Sequence, residues 1–168
     1  MTELFPADRQ SFREAMSRLG AAVNIITTTG PAGDAGFTAS AVCSVTDNPP
    51  TLLVCINKSA SQHDYIKSTG ILCVNVLAHE HQALSPIFAG AGDVPMPERF
   101  ALSDWTRLAT GAPALASAAA SLDCKIDQIV EVGTHSVLFC VVQAIHLGTA
   151  SSGLIYHGRA YHKVSQAG

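Results

Sequence analysis

Leu122-Asp123-Cys124-Lys125-Ile126-Asp127, followed by Val137-Leu138-Phe139-Cys140-Val141-Val142, carries the reading of the fold. In the first stretch apolar and charged residues alternate, the period of two that gives a strand one dry and one wet face. The second does not alternate. It predicts a strand covered on both sides, by core on one and by a second subunit on the other. These stretches extend into strands over residues 122–132 and 136–147, and β-prone runs recur at residues 23–29, 37–45, 51–56 and 71–77. Gly30-Pro31-Ala32-Gly33-Asp34-Ala35-Gly36 reads as the turn between the first two strands, and Asp47-Asn48-Pro49-Pro50 ends the second. Many antiparallel strands with few helices predict a closed barrel, which leaves no exposed sheet edge.

Three helices are expected. Asp8 caps one running through Leu19, with Phe12, Ala15, Met16 and Leu19 on one face and a stop at Gly20. A short one follows Ser61 to about Ser68, and another runs from about His79 to Phe88 with Ala83, Leu84 and Ile87 on a shared face. Residues 89–97, rich in Gly and Pro, read as a mobile loop, and residues 114–121 as a small-residue segment inside a single domain spanning residues 1–168.

The 168 residues are 48 % hydrophobic and only 14 % charged, against roughly 25 % charged in an average soluble domain. Mean hydropathy is +0.26. So apolar a surface predicts a homodimer. No run approaches the roughly 20 apolar residues of a membrane-spanning helix. The net charge is −3 and the 10 Lys and Arg residues are scattered, so nucleic acid is a poor partner. Met1-Thr2-Glu3-Leu4-Phe5-Pro6-Ala7-Asp8 lacks the basic and apolar parts of a secretion signal, and Cys43, Cys55, Cys73, Cys124 and Cys140 are odd in number and widely spaced. Both point to a cytoplasmic protein with buried thiols and no disulfide framework.

Several chemistries lose support at once. Glycines 30, 33 and 36 are spaced GxxGxxG between strands, so the GxGxxG of a Rossmann site is missing, as are GxSxG and GxxxxGK[ST]. His79-Glu80-His81 would suit a metal on a strand but falls where a helix is expected, so no metal site is assigned.

Two polar segments remain. Asn57-Lys58-Ser59-Ala60-Ser61 follows a buried strand and precedes a short helix, offering an amide, a cation, hydroxyls and free N–H groups to an anion such as a phosphate. Thr38-Ala39-Ser40-Ala41 lies within an otherwise apolar strand, where small side chains let a flat ring approach the backbone. Each also has a structural reading, as a helix cap and as a hydroxyl-satisfied strand edge.

Phe12-Arg13-Glu14-Ala15-Met16, Ala21-Ala22-Val23-Asn24-Ile25-Ile26-Thr27-Thr28, Gly36-Phe37-Thr38-Ala39-Ser40-Ala41-Val42-Cys43-Ser44-Val45-Thr46, Pro49-Pro50-Thr51-Leu52-Leu53-Val54-Cys55 and Gly133-Thr134-His135 occur in order. Over residues 12–162 the chain resembles the short-chain flavin reductases, which supply reduced flavin to two-component monooxygenases. The resemblance implies a mainly β, homodimeric split barrel that binds FMN or FAD, is reduced by NADH, and passes the product to a separate flavin-dependent monooxygenase. By matching position it implies that Thr38, Ala39, Ser40 and Ala41 line the flavin ring, with Ser44 in the same block. Asn57, Lys58, Ser59 and Ser61 are implied at the phosphate end, Asn75, Val76 and Leu77 beside the flavin, and Arg99 and Phe100 as a basic–aromatic pair near it. His135 is implied at the nicotinamide side as the catalytic candidate, although Thr134 stands where relatives carry Asp, and Tyr161 is implied at the same pocket. His135 can equally be a hydrogen-bonded sheet-edge histidine. The choice between FMN and FAD stays open, and no basic cluster for the 2′-phosphate of NADPH is evident. A non-catalytic flavin-binding module on the same barrel is the second reading.

Overall fold

The computed structural model describes residues 4–165; the Met1–Glu3 part of the N-terminal segment lies outside them. In chain order the first half carries α1 (Arg9–Ser17), β1 (Ala21–Ala22), β2 (Asn24–Thr28), β3 (Ala35–Ala39), β4 (Val42–Asp47), β5 (Pro50–Asn57), α2 (His63–Thr69) and β6 (Ile71–Val76). The second half carries α3 (Leu84–Phe88), α4 (Met96–Phe100), β7 (Trp105–Arg107), β8 (Pro113–Leu115), β9 (Ala120–Val132), β10 (His135–Leu147), β11 (Ser152–His157) and β12 (Ala160–Ser165).

Seven strands form one antiparallel sheet in the order β3-β2-β6-β9-β10-β5-β4. Its two edge strands, β3 and β4, are consecutive in the chain and separated only by Ser40-Ala41. Such a short link between opposite edges forces the sheet to curl until they meet, and the result is a barrel with a seam. At that seam the Cys55 N–H donates to the Ala41 carbonyl at 3.0 Å.

Alternate residues point inward, as the period of two requires. Leu52, Val54 and Ile56 of β5, Leu72 and Val74 of β6, and Leu138 and Cys140 of β10 fill the barrel together with Ile26, Ala39, Cys124 and, from α2, Ile66. Ile25, next to Ile26 on β2, faces the other way. It joins Val23, Leu77, Leu84, Phe88, Leu115 and Leu154 in a second core that docks α3, α4 and the small sheet β1-β11-β12 onto the barrel. Each fully buried Leu or Ile contributes about 1.5–3 kcal/mol through the hydrophobic effect.

The predicted strands over residues 51–56, 71–77, 122–132 and 136–147 are found to within a residue or two. Four expectations need correction. The strand predicted over residues 37–45 is two strands turned at Ser40-Ala41, because the chain changes sheet edge there. The helix predicted over residues 79–88 is a 3₁₀ turn at His79–His81 followed by α3. Pro86 explains the break: its ring tolerates the first turn of α3 but would clash with the Gln82 carbonyl in a continuous helix. Leu84, Ser85 and Phe88 are consequently the buried face, in place of Ala83 and Ile87. Residues 89–97 form a 3₁₀ turn at Ala91–Asp93 and the start of α4 instead of a loop without structure. Asp123, expected on a wet face, is fully buried and accepts hydrogen bonds from the Thr110 N–H (2.6 Å) and hydroxyl.

The non-alternating run 137–142 alternates in burial. Leu138 and Cys140 are buried, whereas Val137, Phe139 and Val141 are only half-covered within the chain. The α1 helix begins as predicted, with the Ser11 N–H donating to Asp8 Oδ1 at 2.8 Å, but it ends at Ser17, short of Leu19, and buries none of its residues; Phe12 is 64 % exposed, and Leu19 beyond it 61 %. Among the described residues, no helix is long and apolar enough to cross a membrane.

Candidate active site

A cleft of about 410 Å³ opens beside the barrel seam, within the range of small-molecule and cofactor sites, roughly 300–1,000 Å³. Phe37, Thr38, Ala39, Ser40 and Ala41 form one side, Asn57, Ala60, Ser61 and Gln62 another, and Phe88-Ala89-Gly90, Arg99 and His135 complete it. Because β3 is an edge strand, one row of its backbone N–H and C=O groups lacks a ladder partner. Next to the small Ala39 and Ala41 side chains, that edge can take a flat, hydrogen-bonding ring.

The opposite wall is built by a turn. Where β5 ends, Asn57 Oδ1 accepts from the N–H and the hydroxyl of Ser59, both at 2.9 Å, and its carbonyl accepts from the Ala60 N–H at 3.0 Å. This Asx turn reverses the chain into α2 and brings Ser61 and Gln62 to the cleft. His135, the first residue of β10, stands opposite Asn57 in the ladder, solvent-exposed, with Nδ1 2.9 Å from Thr134 Oγ1.

Arg99 reaches the cleft from α4. Its Nε donates to the Val94 carbonyl at 2.7 Å, which leaves the two terminal nitrogens for the cleft. The α4 helix is fixed by packed rings: Phe88, Phe100 and Trp105 have centroids 4.9 to 5.8 Å apart, and Trp105 Nε1 donates to the Phe100 carbonyl at 3.0 Å. Glycine at position 36 lets Phe88 lie against β3, since a Cβ there would come within 3.2 Å of the Phe88 ring and 2.9 Å of the Ile26 carbonyl oxygen.

The donors suit an anion bound beside a planar group. Acyl-transfer chemistry has no support: Cys55, the thiol on the cleft, has its pKa raised by burial and so stays protonated. Among the described residues, no cluster of His, Cys, Asp and Glu could hold a metal.

A family model described as the flavin reductase like domain matches residues 16–165. The chain belongs to this flavin reductase-like family. It is 59 % identical over 157 residues to the FMN reductase (NADH) RutF of Variovorax paradoxus, covering 94 % of this chain and 86 % of that protein. A candidate flavin reductase of Haemophilus somnus superposes with a TM-score of 0.90 at 46 % identity, over 94 % of this chain and all (100 %) of that one. A homologue of nitrilotriacetate monooxygenase component B from Mycobacterium thermoresistibile superposes with a TM-score of 0.85 at 26 % identity, over 94 % and 87 %.

Within this flavin reductase-like fold, the cleft gathers Thr38, Ala39, Ser40, Ala41, Asn57, Ser61, Arg99 and His135 of the residues picked out in the sequence. The others lie elsewhere. Ser44 is exposed on β4, away from the cleft. Lys58 turns to the β9–β10 hairpin, and the Ser59 hydroxyl is occupied by Asn57. Asn75 is fully buried, donating from Nδ2 to the Ile25 carbonyl (3.0 Å) and accepting at Oδ1 from the Leu115 N–H (2.7 Å) and the Ser121 hydroxyl (3.0 Å). A buried amide so saturated ties strands together and has nothing left for a ligand. Val76 pairs within the sheet, and Leu77 belongs to the second core. Phe100 supports α4 from behind, and Tyr161 acts at one remove, its hydroxyl 2.8 Å from Ser85 Oγ while the Ser85 carbonyl accepts from Thr38 Oγ1 at 2.6 Å.

The cleft also includes residues that sequence reasoning passed over. Gln62 continues the Asn57–Ser61 segment and was open to detection by contiguity. Phe37, Cys55 and Ile56 flank it on β3 and β5, whereas Phe88-Ala89-Gly90 reach the cleft only because α3 packs on β3, which no local pattern announces.

Proposed function

We propose that this protein is an NADH-dependent FMN reductase that delivers reduced flavin to a separate monooxygenase. The observation carrying this reading is the convergence of the β3 edge, the Asn57–Gln62 turn, Arg99 and His135 on one cleft. A 59 %-identical relative whose name joins FMN and NADH, and a 26 %-identical one named as a monooxygenase component, support the substrate and the partner. FAD is the second flavin the cleft chemistry accepts.

The residues present fit a flavin, through edge backbone groups and alanine side chains for the ring and hydroxyl, amide and guanidinium donors for the phosphate. The flavin, when bound, supplies the acceptor for the nicotinamide hydride. Everything else is alignment and charge. Thr38 and Ala39 of the β3 edge and the Ser40-Ala41 link would align the ring, and their backbone N–H groups would stabilise negative charge on it. Asn57 and Ser61 would hold the phosphate end together with the Arg99 guanidinium, whose Nε is pinned so that little rotamer freedom would be lost on binding. His135, on the far rim, orients the nicotinamide. No side chain has to move a proton.

Residues 1–168 are read as one domain, since the family match spans 16–165. A homodimer is supported by the apolar composition and by the bare Phe12 and Met16 of α1 with Leu19 just beyond it, which we assign to the subunit interface. Five unpaired cysteines support a reducing, cytoplasmic setting. The decisive experiment follows NADH oxidation at 340 nm with and without added FMN. FMN-dependent turnover is expected; tight FMN binding without NADH oxidation would replace this reading with the non-catalytic module.

A further inference from the structure

Glu131, near the end of β9, faces Ser136 across the β9–β10 ladder. Its carboxylate gathers donors from three other places. Oε1 accepts from Lys67 Nζ of α2 at 2.7 Å, and Oε2 accepts from the Ser136 hydroxyl at 2.8 Å and pairs with Lys58 Nζ at 3.2 Å. Lys58 also stitches the cleft turn to the hairpin, donating from Nζ to the Gly133 carbonyl and from its N–H to the Thr134 carbonyl, each at 2.9 Å. Ser136 Oγ lies 2.8 Å from Nε2 of His63, the buried first residue of α2. Between these ties stands His135, with Asn57 as its ladder partner.

The side chains of Glu131, Lys58 and Lys67 are 44 %, 41 % and 31 % exposed. Ion pairs that wet contribute little to stability. What they do fix is the relative placement of the turn carrying Asn57 and Ser61 and the hairpin tip carrying His135, the two cleft rims that meet at this carboxylate. We propose that Glu131 is a positioning residue for hydride transfer, setting His135 against the flavin cleft through its contacts to Lys58 and Ser136. The proposal rests on the reading of His135 as the residue that orients the nicotinamide.

A double-mutant cycle tests it. Glu131→Gln keeps the size and a hydrogen-bonding head but loses the charge, and it is expected to raise KM for NADH about three- to tenfold, with kcat changed less. FMN affinity should hold, and Tm should shift by no more than about 2 °C. Lys58→Met should reproduce the effect. In a His135→Ala background Glu131→Gln should change nothing further, because the residue it positions is gone. The same loss in both backgrounds, or a lowered Tm with unchanged KM, would overturn the proposal. Wild-type kinetics for His135→Ala alone would overturn it along with the reading of His135, whereas failure of the wild-type protein to oxidise NADH would be the separate failure of the reductase assignment.

Discussion

Arg99 and Asn75 show how similar polar side chains come to opposite duties. The Arg99 guanidinium gives only its Nε–H to the Val94 carbonyl and lines the cleft, so Arg99→Met should weaken FMN binding by about tenfold or more, as loss of a charge-assisted hydrogen bond contributing about 1.5–3 kcal/mol requires. Titration of flavin fluorescence measures it, and unchanged affinity would remove Arg99 from the phosphate site. Asn75→Ala should instead lower stability by about 1–3 kcal/mol, since the Leu115 N–H and Ser121 hydroxyl would be left buried without their acceptor. Chemical denaturation reads that loss. For the serines, Ser61→Ala should weaken flavin binding while Ser59→Ala should not, because the Ser59 hydroxyl is turned to Asn57. A Cβ at position 148 would stand 1.9 Å from the Ala118 carbonyl oxygen, so Gly148→Ala should fail to accumulate folded protein, checked by soluble yield and circular dichroism.

Among the elements, the β9–β10 hairpin and its ties to α2 respond to acid. Hydrogen bonds from Lys67 and Ser136 hold the Glu131 carboxyl down at about 2, against an ordinary value of 4.5. A depressed carboxylate stabilises the fold fully above its ordinary value and loses that contribution as the pH falls towards the folded one. Because these contacts are wet and screened, melting temperatures of the wild type should drop only slightly more steeply between about pH 4.5 and 2 than those of Glu131→Gln, by no more than about 2 °C in all; parallel curves would mean that the carboxylate is not held in solution. How much of this was legible beforehand differs by element. The long strands were, because Leu52-Leu53-Val54 and Leu72-Cys73-Val74 are dense in β-prone residues and end at polar turns. The short strands β7 and β8 were not assigned as strands, because Trp105-Thr106-Arg107 is too brief to show a period. The two cleft segments, Thr38–Ala41 and Asn57–Ser61, stood out as polar interruptions in apolar runs. That Lys58 would turn away from the cleft depended on the hairpin tip at Gly133-Thr134, which lies far off in sequence, whereas Ser59 turns to Asn57 two residues before it.

For the molecule as a whole, low charge and an uncovered apolar helix predict association. Sedimentation at micromolar concentration should give a dimer, and Phe12→Glu with Met16→Glu should shift it towards monomer without unfolding it, because α1 buries none of its residues within the chain. A stable wild-type monomer would refute the interface assigned to α1. The corner at Ser40-Ala41 has one more consequence. It joins the first and last strands of the sheet order, so the barrel is complete only when this corner is seated, and the ligand is expected to rest on the same corner. A ligand seated there would touch the chain on both sides of the join. A ligand that binds the folded corner and not its locally unfolded form would add RT ln(1 + [L]/Kd) to the free energy of local opening, which should slow amide exchange along β3 and β4.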